Sequence, residues 1–400
     1  MNYAEIEQKI CQAAVISFDV FDTLIVRLYR NTTDLFRHIE ESEKISGFMS
    51  ARVEAERSAR EKAEKKEVHE VTLREIYQEL HPSYRGAMEK EVYLEKIACR
   101  ANPEMMDVYK LAQRMGKRIV IVADTYLPKA VLEEILHHAG YDGYERLFLS
   151  SDTRRPKATG QMYEDLMETM HVEGREVLYI GSHPYANIRI AEEKGLGTYQ
   201  YDSVRNSFGD NLNPAYFALL NRYAKQEYAA SILESLITLH TASQPEEDYW
   251  KRFGYKYAAP IACAYMHWLK ERLDSCGIQK AYFMSQGGYL FKHVFDALYP
   301  EFETKEVYGS QRLFLLSKMN GYSDIKDEMR ELYAKKMTFS ELWDWLRLSE
   351  EELHIAYLHT FPDQEQIALS EQDFDQLDEF MVKHEFRLQE IGRRERECLN

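Results

Sequence analysis

Cysteine is scarce in this chain: Cys11, Cys99, Cys263, Cys276 and Cys398 are the five in 400 residues, odd in number and with no close pair. That scatter argues against a zinc knuckle or a disulfide framework and fits a reducing compartment. Basic charge is also in short supply. Lys and Arg total 51 against 67 Asp and Glu, a formal charge of -16 and a pI near 5.4. Nucleic acid or an anionic membrane surface is therefore not expected as the main partner. The longest apolar run, near residues 258–264, falls far short of the ~20 residues of a membrane span. Met1 to Gln12 lacks the basic start and apolar stretch of a secretory leader, so a cytoplasmic location is expected. There is no internal repeat and no low-complexity tract.

What is present, at 45% hydrophobic and 30% charged, suffices for a sizeable core in two domains or in one with a large insertion. The chain is organised around Phe18-Asp19-Val20-Phe21-Asp22-Thr23-Leu24. Ala14 to Phe18 is mostly apolar and rich in β-branched residues, the pattern of a buried parallel strand. Asp19 falls where that strand ends, and ligands of open α/β sheets bind at the carboxyl ends of strands. A carboxylate there can act as a nucleophile, and Thr23 can steady it or a bound anion. A helix cap or turn residue looks the same at this point, so the rest of the chain has to decide.

Thr32 to about Leu80 reads as helix. Within it, Arg52 to Glu67 has a single large apolar residue, Val53, and is expected to be a solvated helix face. Thr72 and Glu75 form a capping-box signal. Glu91 to Met115 is helical with a break near Asn102-Pro103. The next strand, Arg118 to Ala123, runs into Asp124-Thr125, and a helix from Lys129 to His138 stops at Gly140. Strands are expected again at Arg146 to Ser150 and Glu176 to Ile180. Lys157 precedes a helix over about Gly160 to Met170, and Gly181-Ser182-His183 opens the loop after the fourth strand. Strands alternating with helices predict a parallel sheet with right-handed crossovers. The helical insertion after the first strand would cap the strand ends.

A shift to Asn, Gly, Asp and Ser over 202–214 marks the expected domain boundary. Beyond it, Ala215 to His240 and Trp250 to Ser275 read as helices. Ala281 to Ser285 reads as a strand that turns through Gln286-Gly287-Gly288 into a helix ending at Leu298. From about Ser323 the chain reads as charged helix.

Asp19 to Leu24, the strand ending at Asp124, Lys157 and the glycine turn at Gly181 stand in the order of the haloacid dehalogenase (HAD) superfamily. Within it, the chain resembles bacterial predicted hydrolases often associated with cell-surface polysaccharide synthesis. The likeness runs through Ile16 to Arg27, Asp124 to Pro128, Ser150 to Gly160, and Tyr282 to Gly288 with Ser310 to Arg312. It covers most of the chain to about residue 320 and is specific as a set.

The resemblance implies Asp19 as a nucleophile and, in phosphatases, a magnesium ligand, with Lys157 as its supporting lysine. It also implies departures. The acid/base position two beyond Asp19 holds Phe21, similar to the metal-free dehalogenase branch. Asp22 comes one residue late, with its side chain expected to point elsewhere. Ala123 replaces the usual Ser or Thr, with Asp124 and Thr125 following. Ser182 and Asn187 stand where two carboxylates normally flank the metal. In the second half, Gln286-Gly287-Gly288 and Ser310-Gln311-Arg312 replace phrases rich in charge, which implies a weakened second site.

Magnesium wants charged oxygen ligands in octahedral geometry, and these replacements leave Asp19 alone to offset its charge. The expectation is no cofactor, or Mg2+ on a degraded site made by Asp19 and Asn187. General acid help is worth ~10²–10⁴-fold, which Phe21 cannot supply. His183 would lie near Asp19 and can serve as acid or base, although a solvated loop histidine is the plainer account. Asp124, Thr125, Ser182 and His183 are candidate substrate or phosphate contacts. Trp250, Tyr255, Tyr257, Tyr265 and Trp268 fall at helical spacing, for which core packing is expected.

The expected architecture is α/β: a HAD-like Rossmannoid parallel sheet over 1–205 with a helical cap inserted over about 28–115, then a mostly helical region with a small α/β element over 214–400. Two functions stay open. One is a hydrolase with Asp19 as nucleophile and Thr23 and Lys157 as support, acting on a small anionic, phosphorylated or otherwise activated substrate. The other is a catalytically inactive binding or scaffolding protein with a protein partner, in surface glycan assembly.

Overall fold

The computed structural model describes residues 2–206, 212–244, 247–327 and 373–399, with positions 341, 355, 359 and 360 between them. The chain divides into two compact units, 1–257 and 258–400. The composition shift at 202–214 therefore falls inside the first unit.

In the first unit the strands are β1 (Val15–Asp19), β2 (Ile25–Arg27), β3 (Cys99–Ala101), β4 (Arg118–Ala123), β5 (Arg146–Leu149), β6 (Val177–Gly181) and β7 (Gly197–Gln200). Five of them form a parallel sheet in the order β5-β4-β1-β6-β7, with β1 in the middle and buried at every residue. Burial on both faces is why β1 reads as a continuous apolar run. Side chains alternate between the faces. Ile16, Phe18, Ile119, Ile121, Leu178 and Ile180 join one cluster; Val15, Val120, Val122, Val177 and Tyr179 join the other, against Met162, Tyr163, Leu166 and Met170 of helix Gln161–Met170. The edge strand β7 is short, polar and exposed at two of its four residues, so it leaves little hydrophobic signal.

β2 and β3 pair antiparallel as the neck of the insertion. Helix Pro103–Arg114 follows the neck and packs on β4, so the cap proper ends near residue 98 rather than 115. The expected break in Glu91 to Met115 is strand β3 itself. The cap docks on the loops after β4 and β5: Ser150 Oγ donates to Glu70 Oε2 at 2.8 Å, Leu73 N to Tyr126 O at 2.8 Å, and Arg154 Nη1 to Glu75 Oε2 at 2.7 Å. Thr72 and Glu75 form the capping box at the start of helix Leu73–Glu79.

Most of Arg52 to Glu67 is exposed, as a solvated face requires, but Arg52 itself is not. It is fully buried within helix Phe48–Glu64, while its apolar neighbour Val53 is 44% exposed. Its guanidinium reaches Glu91 through two nitrogens, touches Glu56 and lies over the rings of Phe36, Tyr77 and Tyr126. This one charged residue lies inward, beside Phe48, Ala55 and Ala59, because Glu91, on helix Met88–Ala98, supplies the counter-charge.

After β7 the first unit continues through helices Pro214–Ala224 and Tyr228–Ser243, which continue the cap rather than open a new unit. Ser231 Oγ accepts from Arg30 N at 2.6 Å and donates to Asp34 Oδ2 at 2.8 Å, Arg30 pairs with Glu234, and Tyr228 stacks on His38.

In the second unit, helix Ala259–Ser275 precedes strands β8 (Lys280–Met284) and β9 (Glu303–Val307), which pair parallel around helix Ser285–Leu298. Gln286, Gly287 and Gly288 are the first turn of that helix, not a connecting turn. Gly288 is needed there, because a Cβ would stand 2.9 Å from the Cβ of Phe283. Ser310 caps helix Gln311–Lys318 through its Oγ. Helices Asp373–Lys383 and Glu385–Leu399 follow; most of the charged helical tract expected after Ser323 lies outside the described residues. Of the aromatics expected in the core, Tyr257 packs against Leu212, Leu220 and Ile237, whereas Trp250, Tyr255, Tyr265 and Trp268 are on the surface, Trp250 at 71% exposed. Among the described residues, no helix is long and apolar enough to cross a membrane.

Candidate functional site

A cavity of about 460 Å³ opens at the carboxyl ends of β1, β4 and β6. Asp19, Phe21, Asp22, Asp124, Lys157 and Ser182 line it, with His183, Pro184, Ser203, Arg205 and Asn206 at its other walls. Central strands place Asp19 and Ser182; the loop beyond β5 brings in Lys157.

Asp19 is the last residue of β1 and only 6% exposed. Lys157 Nζ donates to its Oδ1 at 2.6 Å, with both side chains buried. A charge-assisted contact of that length between two side chains so little exposed is stronger than a surface pair. The ammonium also donates to the hydroxyl of Tyr179 at 3.4 Å, and Tyr179 is hydrogen-bonded to Tyr163 behind it. Burial, with Asp19 adding to it, pushes the Tyr179 hydroxyl far above its ordinary range, so it stays a neutral partner. At its other end, Lys157 is held by its backbone N–H, which donates to both Asp124 oxygens at 3.0 and 3.2 Å. Burial raises the Asp124 pKa, with Lys157 pulling the other way.

The turn after β1 is tight. Asp22 N donates to Ile25 O, and Ile25 N to Val20 O, each at 2.8 Å. From behind, Asn102 Nδ2 donates to Thr23 O at 2.7 Å and Tyr141 to Leu24 O at 2.7 Å. This geometry takes Thr23 out of the cavity. Its side chain is fully buried and its hydroxyl has no partner among the described residues. Thr125 is likewise absent from the lining: its N–H donates to Ser150 Oγ and its Oγ1 accepts from Leu127 N, so it shapes the loop. Ser182 and exposed His183 do reach the cavity. The side chain of Asn187 lies outside the described residues.

Two residues that sequence reasoning passed over belong to the site. Asp22, expected to point elsewhere, adopts a left-handed φ of 56° and lines the cavity. Arg205 donates through Nε to Asp22 Oδ1 at 2.8 Å. It also donates to the carbonyls of Arg27 and Tyr29 and to Ser235 Oγ. Nothing local to position 205 marks it; only the fold brings it back to the first turn. Among the described residues, no group of three His, Cys, Asp or Glu is arranged to hold a metal ion.

With this geometry in hand, residues 13–194 match the family described as haloacid dehalogenase-like hydrolase. That stretch is similar to a HAD-like hydrolase domain. Solved structures similar to the chain include a dehalogenase with an intermediate complex, at 13% identity over 47% of this chain and 84% of that one, TM-score 0.36. A HAD-family enzyme from Bacteroides thetaiotaomicron shares 15% identity over 48% of this chain and 94% of its own, TM-score 0.37. An L-2-haloacid dehalogenase shares 17% identity over 48% and 87%, TM-score 0.35. No curated protein matches the chain. The HAD-like match ends before β7, so Arg205 lies beyond it, although it closes the cavity.

Proposed function

We propose that the HAD-like domain is a hydrolase that uses Asp19 as nucleophile on a small phosphorylated or otherwise activated substrate. The observation that carries this reading is the buried contact of Lys157 Nζ with Asp19 Oδ1 at 2.6 Å, at the floor of an open cavity. An oxygen of the Asp19 carboxylate attacks the electrophilic atom, and the leaving group departs with the bonding pair. Lys157 fixes the carboxylate and offsets its charge, and the Asp124 hold on the Lys157 backbone keeps the ammonium in register. Ser182 and His183 are the polar groups offered to the substrate from the β6 loop.

The family implies magnesium, which would supply Lewis-acid help to a transferring phosphoryl group. The donors described here fit it poorly: Asp19 Oδ1 is taken by Lys157, Asp124 accepts from the Lys157 backbone, and Ser182 is a neutral hydroxyl. We therefore infer a site that works without the ion.

A second reading, a ligand-binding protein without catalysis, is favoured by Phe21. Its ring lies 3.8 Å from the Arg27 guanidinium, where the family places an acid/base. A role in surface glycan assembly with a protein partner rests on the resemblance alone. The deciding experiment is hydrolysis of 4-nitrophenyl phosphate, with and without magnesium, by wild type and Asp19→Asn. Turnover that needs no magnesium and vanishes in Asp19→Asn is the expected result. Absence of turnover in both conditions would favour the binding reading, and magnesium-dependent turnover would overturn the inference about the donors.

A further inference from the structure

The turn after β1 delivers a second carboxylate to the cavity, and the reading above leaves it without a task. A non-glycine residue rarely adopts the left-handed conformation of Asp22, and such backbone is kept only where its surroundings hold it. Here the Val20, Ile25, Asn102 and Tyr141 hydrogen bonds hold it. Arg205 Nε occupies Asp22 Oδ1 at 2.8 Å, and among the described residues nothing else bonds the carboxylate, which leaves Oδ2 for the half-exposed mouth of the cavity. Arg205 itself has no slack, being fixed by the Arg27 and Tyr29 carbonyls and by Ser235. The other two carboxylates of the cavity are committed, Asp19 to Lys157 Nζ and Asp124 to Lys157 N. Phe21 has no exchangeable proton.

We propose that Asp22 is the general base for the second half of the reaction, and that Arg205 is its positioning residue. The proposal rests on the nucleophilic role of Asp19. Once the transferred group is bonded to an Asp19 oxygen, a water oxygen bonds to that group. The water proton passes to Asp22 Oδ2, the bond to Asp19 breaks, and its electron pair returns to the Asp19 carboxylate. Asp22 then gives its proton to solvent. With Oδ1 tied to Arg205, only one oxygen is presented to the water, and a fixed orientation is what efficient proton transfer requires.

The test follows release of nitrophenolate from 4-nitrophenyl phosphate by stopped flow, with intact-mass measurement of the quenched protein. Asp22→Asn is expected to keep a stoichiometric burst, lose steady-state turnover by about 10²–10⁴-fold, and accumulate one phosphoryl group on the protein. The adduct should be absent from Asp22→Asn combined with Asp19→Asn. Arg205→Met should behave as a weaker Asp22→Asn, and Arg205→Lys should recover part of the loss. A general structural lesion would diminish the burst as well, so a burst kept while turnover falls is specific to the second step. Wild-type turnover by Asp22→Asn, or loss of its burst together with its turnover beside an active wild type, would overturn this proposal alone. No nitrophenolate from the wild type would overturn it together with the role of Asp19.

Discussion

Arg52 and Glu91 form a two-pronged ion pair, Nε to Oε2 at 2.9 Å and Nη2 to Oε1 at 2.8 Å, with both side chains fully buried in the cap. Burial works against the Arg52 charge, but Glu91 beside it more than compensates and raises its pKa. Removing one partner leaves the other buried and uncompensated. Arg52→Met should destabilise the protein by about 3–5 kcal/mol, read as a lower midpoint in urea unfolding. Adding Glu91→Leu should recover part of that loss, because two apolar residues need no counter-charge, while the buried Tyr77 hydroxyl that donates to Glu91 is left without it.

The Lys157–Asp19 pair is unequal to its two truncations. Lys157→Met strands a buried carboxylate and should cost about 3–5 kcal/mol. Asp19→Asn keeps an oxygen to accept from Nζ and should cost less. Thermal unfolding of the two variants side by side checks the order; a lower midpoint for Asp19→Asn would contradict the geometry.

Docking of the cap on the β5 loop should weaken in acid. The hydrogen bond from Arg154 lowers the Glu75 pKa from 4.5 to about 2, aided by Thr72. A depressed folded-state pKa contributes stability above the ordinary value and loses it as pH falls through the folded one. The pair is partly exposed, so Arg154→Ala should cost only ~0.2–1 kcal/mol at neutral pH. The difference from wild type should shrink between pH 4.5 and about 2. Unfolding curves across that range check it; a gap that widens in acid would refute the assignment.

Ser231 tests whether the helices beyond β7 belong with the cap. It is fully buried and bonded to both Arg30 N and Asp34. Ser231→Ala takes the acceptor from the partly buried Arg30 N–H and one donor from Asp34, which keeps Asn31 N and Arg37, and should cost about 1 kcal/mol. If the helix were a detachable neighbour, the loss would be near zero and hydrogen exchange of Arg30 would not change.

What was legible in the sequence is what short-range pattern encodes. β4 is found at Arg118–Ala123 because five of its six residues are apolar. The capping box of Thr72 and Glu75 is a three-residue signal, and it is present. The meeting of Asp19 with Lys157 needed the family resemblance, since 138 positions separate them. Arg52 was misjudged because charge on a helix normally faces water, and only a buried Glu91 reverses that. Asp22 was misjudged because its direction depends on a positive φ that no neighbour announces. Thr23 was given to the site on spacing alone, and the same turn that exposes Asp22 buries it. Arg205 was missed because its meaning comes from four partners on three other segments.

The register of β1 also bears on how the chain reaches this state. Val15 pairs with Arg118 on one side and Val177 on the other, so the central strand has no local partner. During synthesis it emerges long before either flank exists, and its apolar run must wait. Pairings so distant in sequence fold slowly. The nucleophile at the end of β1 is therefore made before both strands that flank it and takes its place only once they arrive.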